Sequence, residues 1–111
     1  MNIQIFGKTK CFDTKKAQRW FKERNIKFQM IDLAQKGMSK GELDSVRKAV
    51  GGLEPLLNPK AKGYASLAYL AFDEDKYQKL LEDPSLLRTP VVRNGRQATV
   101  GFQPDIWEKW E

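Results

Sequence analysis

The sequence predicts an α/β fold: a mixed four-stranded sheet flanked by helices, in the order βαβ, helical insert, ββα. Three observations carry that expectation. Two apolar runs, Asn2–Phe6 and Ile26–Leu33, flank a helical pattern and so make a βαβ unit with parallel strands. Later, Thr89-Pro90-Val91-Val92-Arg93 and Arg96–Val100 flank Asn94-Gly95, a strong hairpin signal. Between these halves, at about residues 34–86, the pattern is wholly helical. The 111 residues are expected to form one domain, 1–111, long enough to bury a real core.

The elements follow in order. Gly7–Lys10 reads as a loop and Cys11 stands just before the first helix, expected from about Asp13 to Arg24. Ala17, Trp20 and Phe21 share one face of it, and Lys15, Lys16, Arg19, Lys22 and Glu23 take the other. Asn25 suits its C-terminal end. Phe28 and Met30 alternate in the second strand. Ser39-Lys40-Gly41-Glu42 is a capping box, Leu43 and Val46 continue that helix to about Ala49, and Gly51-Gly52 stops it. Leu53–Leu57 is a helical turn with Pro55 at its start, and Asn58–Gly63 a loop. Tyr64–Phe72 reads as a short apolar helix. Asp73 is expected to cap the next, with Tyr77, Leu80 and Leu81 pointing inward. Asp83-Pro84 breaks it, and Ser85 is expected to cap a last turn, Leu86-Leu87-Arg88. A final helix opens at Pro104 or Asp105 and carries Ile106, Trp107 and Trp110. Trp20, Phe21, Trp107 and Trp110 are expected in the core.

Composition excludes several classes. The net charge is +6, but the basic residues are interleaved with acids along helical faces. That pattern describes a solvated surface, and no direct nucleic-acid binding is expected. No window approaches the roughly 20 apolar residues of a membrane span. The first residues lack a basic segment followed by an apolar one, so no signal peptide is expected. One cysteine cannot close an internal disulfide, which points to a reducing, cytoplasmic setting. The absence of histidine removes His-based zinc sites and His-activated nucleophiles. The chain is expected to be a monomer.

Cys11 is the centre of the chemistry. A thiol at a strand-to-helix junction meets unpaired backbone N–H groups and the positive end of the helix dipole. Lys8, Lys10, Lys15 and Lys16 lie within a few residues, and both effects favour thiolate. The same lysines could instead form a solvated face. The Thr14 hydroxyl could donate to the sulfur or bond the backbone of the first helical turn.

A cysteine after the first strand and a Thr-Pro pair opening the third resemble the thioredoxin-like folds, in which that proline is cis and sits against the reactive cysteine. More closely, the chain resembles the arsenate-reductase-related (ArsC/Spx) branch of that superfamily. The marks are the strand-loop-Cys11 start, Lys15-Lys16-Ala17-Gln18-Arg19-Trp20, the helical insert, Leu86-Leu87-Arg88-Thr89-Pro90-Val91-Val92 and Val100-Gly101-Phe102. They span nearly the whole chain.

The resemblance implies a nucleophilic cysteine, matched by Cys11, and three arginines that hold an oxyanion. The matching positions hold Asn58 after Leu56-Leu57, Thr89 before Pro90 and Gln103 before Pro104. A histidine four residues before the cysteine is replaced by Gly7. Asn, Thr and Gln cannot supply the bidentate charge that a tetrahedral anion needs, so little arsenate reduction is expected. The Spx-type regulators bind the C-terminal domain of the RNA polymerase alpha subunit. Many use a Cys-x-x-Cys switch, and here the pattern is Cys11-Phe12-Asp13-Thr14. Their insert carries an important glycine, to which Gly51 or Gly52 could correspond.

The expected function is therefore a single-cysteine thiol oxidoreductase. Cys11 is the nucleophile, and Thr14, Lys10, Arg88, Thr89 and Pro90 support the thiolate or the substrate. No metal or bound cofactor is implied. Glutathione is the expected co-substrate, with glutathione or a glutaredoxin-type thiol as partner. The alternative is an Spx-like regulator that binds the polymerase alpha subunit.

Overall fold

The apolar run at the N-terminus becomes β1, Ile3–Gly7, at the centre of the sheet. The computed structural model describes residues 1–110. β1 pairs in parallel with β2, Phe28–Asp32, from Ile3 opposite Phe28 to Gly7 opposite Asp32. On its other side it runs antiparallel to β3, Val91–Asn94, which in turn pairs with β4, Gln97–Val100. The sheet order is β2-β1-β3-β4, the mixed four-stranded sheet that the sequence predicts.

Side chains alternate across a strand, so the central strands feed two cores. Ile3, Ile5 and Val92 pack on one face with Ala17, Trp20 and Phe21 of α1 (Phe12–Glu23) and with Trp107 and Trp110. Trp107 lies in α5, Pro104–Trp107, and its buried indole N–H donates to the Thr99 hydroxyl at 2.8 Å. That bond accounts for the one buried threonine of β4. Phe6 and Val91 face the other way, onto the insert. There they meet Leu43 and Val46 of α2 (Lys40–Val50), Leu67 of α3 (Tyr64–Ala68), and Tyr77 and Leu80 of α4 (Asp73–Glu82). The twin pairs Leu56-Leu57 and Leu86-Leu87 complete this core. Each fully buried side chain of this size contributes roughly 1.5–3 kcal/mol. Among the described residues, no helix is long and apolar enough to cross a membrane.

Local chemistry sets the element ends. Asn25, in left-handed backbone at φ 57°, closes α1. Arg24 lays its guanidinium 4.0 Å above the Trp20 ring. Ser39 Oγ accepts from the Glu42 N–H at 3.2 Å, and the Glu42 carboxylate accepts from the Ser39 N–H at 2.9 Å, the predicted capping box.

Several details differ from the sequence expectation. The last helix ends at Trp107, so Trp110 lies beyond it although it is still buried in the core. The apolar stretch from Tyr64 stays helical only to Ala68, leaving Tyr69 and Phe72 89% and 70% exposed. Ser66 interrupts its apolar residues, and only Leu67 of α3 is buried in the core. Asp73 is the first residue of α4 rather than its cap. Phe72 holds the cap position and makes no side-chain bond, so Asp73, Glu74 and Asp75 act through the helix dipole. Ser85 lies inside the last turn, a 3₁₀ turn at Pro84–Leu86. Asp83 caps it, accepting from the Ser85 N–H at 3.1 Å, because Pro84 fits the first position and needs no donor partner. The hairpin loop is Gly95-Arg96, since Asn94 still pairs with Gln97. Gly95 takes φ 59° and Arg96 does not take positive φ, which matches a type II′ turn.

Candidate functional site

β1 delivers the chain to its C-terminal edge, where Lys8 accepts a turn bond from the Cys11 N–H at 3.0 Å. Cys11 is then the N-cap of α1, and its carbonyl accepts the first helical bond, from the Lys15 N–H at 3.1 Å. A side chain at this position faces the free N–H groups of the first turn. The neutral thiol makes no cap bond of its own and is half-buried.

Thr89 meets the sulfur twice. Its hydroxyl donates to Cys11 Sγ at 3.1 Å, and its carbonyl takes a long contact from the thiol at 3.8 Å. The Thr89–Pro90 peptide is cis. Burial pushes the Cys11 thiol up. The hydroxyls of Thr14 and Thr89 and the backbone N–H groups of Thr14 and Asp13 outweigh it, so the thiol lies below its ordinary value.

Thr14 lies close enough to the sulfur for its hydroxyl to help lower the thiol, and that hydroxyl accepts from the N–H of Lys8, in the loop before α1 and not in its first turn, at 3.4 Å. It is completely buried because Gly7 makes room for it. A Cβ at Gly7 would stand 2.6 Å from Thr14 Oγ1. Gly7, read from the sequence as the start of a loop and the place of a missing histidine, instead closes β1 and is what lets Thr14 reach its place. The only hint was a glycine closing a buried strand.

The neighbouring lysines do not gather on the thiol. Lys8 Nζ donates to the Ser85 carbonyl at 3.3 Å. Lys15 and Lys16 sit 5.9 Å and 5.7 Å from the ring centres of Phe12 and Phe102. Lys10 is exposed and does not line the groove beside Cys11. That groove, of about 330 Å³, is lined by Cys11, Asn58, Pro59, Lys60, Arg88 and Thr89.

Its positive charge comes from elsewhere in the chain. Leu57 and Leu87 form an isolated antiparallel bridge. The Asn58 N–H donates to Leu86 O at 2.9 Å and the Arg88 N–H to Leu56 O at 2.8 Å. Each Leu-Leu pair is buried, and the residues that follow it emerge together beside Cys11. Of the predicted supporting residues, the structure brings Thr14, Arg88 and Thr89 to Cys11, with Pro90 next in the chain, and leaves Lys10 apart. Asn58, Pro59 and Lys60 were not among them. The twin Leu-Leu pairs were the available signal. Among the described residues, no group of three His, Cys, Asp or Glu is placed to hold a metal.

A family model described as the ArsC family matches residues 6–110. Global transcriptional regulator Spx 2 of Oceanobacillus iheyensis is 30% identical over 110 residues, spanning 95% of this chain and 80% of that protein. An ArsC family related protein from Bacteroides fragilis has a similar structure, with TM-score 0.84 and 23% identity over 98% of both chains. An arsenate reductase from Vibrio cholerae gives TM-score 0.84 and 22% identity over 96% of this chain and 94% of that one. These two likenesses speak to the fold, which is thioredoxin-like.

Proposed function

The chain belongs to the ArsC family, and from that premise we propose that it is a single-cysteine thiol oxidoreductase whose nucleophile is Cys11. The observation that carries this reading is the Thr89 hydroxyl, 3.1 Å from Cys11 Sγ, on a half-buried thiol held below its ordinary value. Cys11 thiolate attacks one sulfur of a disulfide, a new Cys11–S bond forms, the old S–S bond breaks, and the second sulfur leaves as thiolate. Thr89 and Thr14 support the Cys11 sulfur while it carries charge, and Pro90, next to Thr89 in the chain, helps set where Thr89 meets the groove. Cys11 is the only cysteine, so an outside thiol must attack the mixed disulfide and restore the thiolate. Glutathione or a glutaredoxin-type thiol fills that role, in a reducing cytoplasm. Arsenate is disfavoured as substrate, because Asn58, Thr89 and Gln103 stand at the three arginine positions.

Alkylation of Cys11 across pH tests the reading. Half-reaction below the ordinary thiol value of about 8.5 is expected, together with a glutathione adduct by mass after exposure to glutathione disulfide. Slow reaction at neutral pH with an unshifted midpoint would overturn it.

A second reading is favoured by the 30% identical relative named a global transcriptional regulator. In it, the chain binds the RNA polymerase alpha subunit's C-terminal domain through the insert and α1. Gly51 and Gly52, at φ 84° and 137° with open space around them, would form part of that surface. Failure of immobilised alpha C-terminal domain to retain the chain at low salt would remove this reading.

A further inference from the structure

The groove beside Cys11 holds two cations and no acid. Lys60 and Arg88 line it with Asn58, Pro59 and Thr89. Both cations are exposed, and among the described residues neither is in an ion pair. Elsewhere such pairs do form, as between Lys76 and Glu54 at 3.4 Å. The backbone that carries the two positive side chains is held from behind. The Leu57–Leu87 bridge fixes their loops together, and Asn58 Oδ1 accepts from the Lys60 N–H at 3.0 Å. Uncompensated like charges sharing one groove favour entry of an anion. The volume of about 330 Å³ suits a small molecule. A molecule that reaches the sulfur through this groove meets these charges on the way.

We propose that this groove selects disulfides bearing carboxylates, with the reacting sulfur at Cys11 and carboxylates on Lys60 and Arg88. The inference rests on Cys11 being a reactive thiol and adds which disulfides it accepts. The step is an exchange. Cys11 thiolate bonds to one sulfur of the carboxylate-bearing disulfide, and the other half departs as thiolate. Cys11 is oxidised to the mixed disulfide, the incoming disulfide is the oxidant and its departing half is the reduced product; attack by a carboxylate-bearing thiolate on the mixed disulfide reverses the step.

The test measures mixed-disulfide formation on the full chain by mass, using three probes: glutathione disulfide, neutral hydroxyethyl disulfide and cationic cystamine. The expected order of rate is glutathione disulfide, then hydroxyethyl disulfide, then cystamine, and the spread narrows as salt is added. In the Lys60→Ala, Arg88→Ala double variant, the ratio of the glutathione disulfide rate to the hydroxyethyl disulfide rate falls about tenfold. The charge-preserving pair Lys60→Arg, Arg88→Lys keeps most of that ratio. An unchanged ratio in the alanine variant, with Cys11 still reacting, overturns this inference and leaves the thiol reading standing. No reaction with any of the three probes removes the thiol reading and this inference with it.

Discussion

Two threonines and two backbone N–H groups, rather than the four nearby lysines, hold the Cys11 thiol below its ordinary value against the upward push of burial. Replacing Thr89 by Val removes one donor to the sulfur. Alkylation at pH 7 is expected to slow by about threefold to tenfold, the range set by one modest hydrogen bond. The sign follows from ionisation: a raised thiol pKa leaves less thiolate at pH 7, and the two proteins converge once both are fully ionised. Linkage runs the same way. A thiol depressed on folding stabilises the native state above its unfolded pKa, and that contribution is lost as pH falls through the folded value. The stability advantage of the wild type over Cys11→Ala should therefore grow as pH rises from 7 toward 9, read by urea denaturation. Gly7→Ala forces a methyl onto the buried Thr14 and is expected to cost about 1–3 kcal/mol while slowing Cys11 alkylation. That Cys11, Thr14, Arg88, Thr89 and Pro90 lie near one another was legible because they are local to a motif or matched by resemblance. Lys60 was not, because its approach to Cys11 depends on two loops distant in sequence. Lys10, next to Cys11 in the chain, is exposed and does not line the groove, since closeness in the chain at a helix start does not set direction.

Among the elements, those with a chemical terminator were readable and those ending in apolar sequence were not. The α2 capping box and Gly51, at φ 84°, were visible as residues with one structural use. Ser39→Ala should cost about 1 kcal/mol, seen as a lower urea midpoint with unchanged slope. At the α3–α4 junction nothing in the sequence separates an apolar helix from an apolar coil. Where helix stops there depends on whether a neighbour is available to cover each side chain, and Tyr69 and Phe72 have none. The hairpin shows a subtler limit. The Asn-Gly signal located the turn, but its register is set by cross-strand pairing, and Asn94 opposite Gln97 moved the loop one residue onward.

For the whole molecule, the sheet divides labour between its faces. The α1 side sets the thiol, and the insert side supplies the groove cations. Arsenate turnover with glutathione and glutaredoxin supplied is expected to be little or none. One lysine and one arginine do not reproduce three planar guanidiniums, and turnover comparable with an arsenate reductase would contradict this. The overall architecture was legible because strand order and chain order are tightly linked in a βαβ–ββα frame. The meeting of the insert with the Cys11 edge was not, since it depends on one bridge of two residues, Leu57 and Leu87.

The division between the faces also has an optical consequence. The chain has three tryptophans and three tyrosines. Trp20, Trp107 and Trp110 all belong to the α1 side, while Tyr64, Tyr69 and Tyr77 all belong to the insert. The protein therefore carries two native chromophore sets, one for each half. Selective tryptophan emission follows one side of the sheet, and tyrosine-to-tryptophan energy transfer follows the distance between the halves. During denaturation the two signals should move together if the halves melt as one unit, and a tyrosine change that precedes the tryptophan change would mark the insert loosening first.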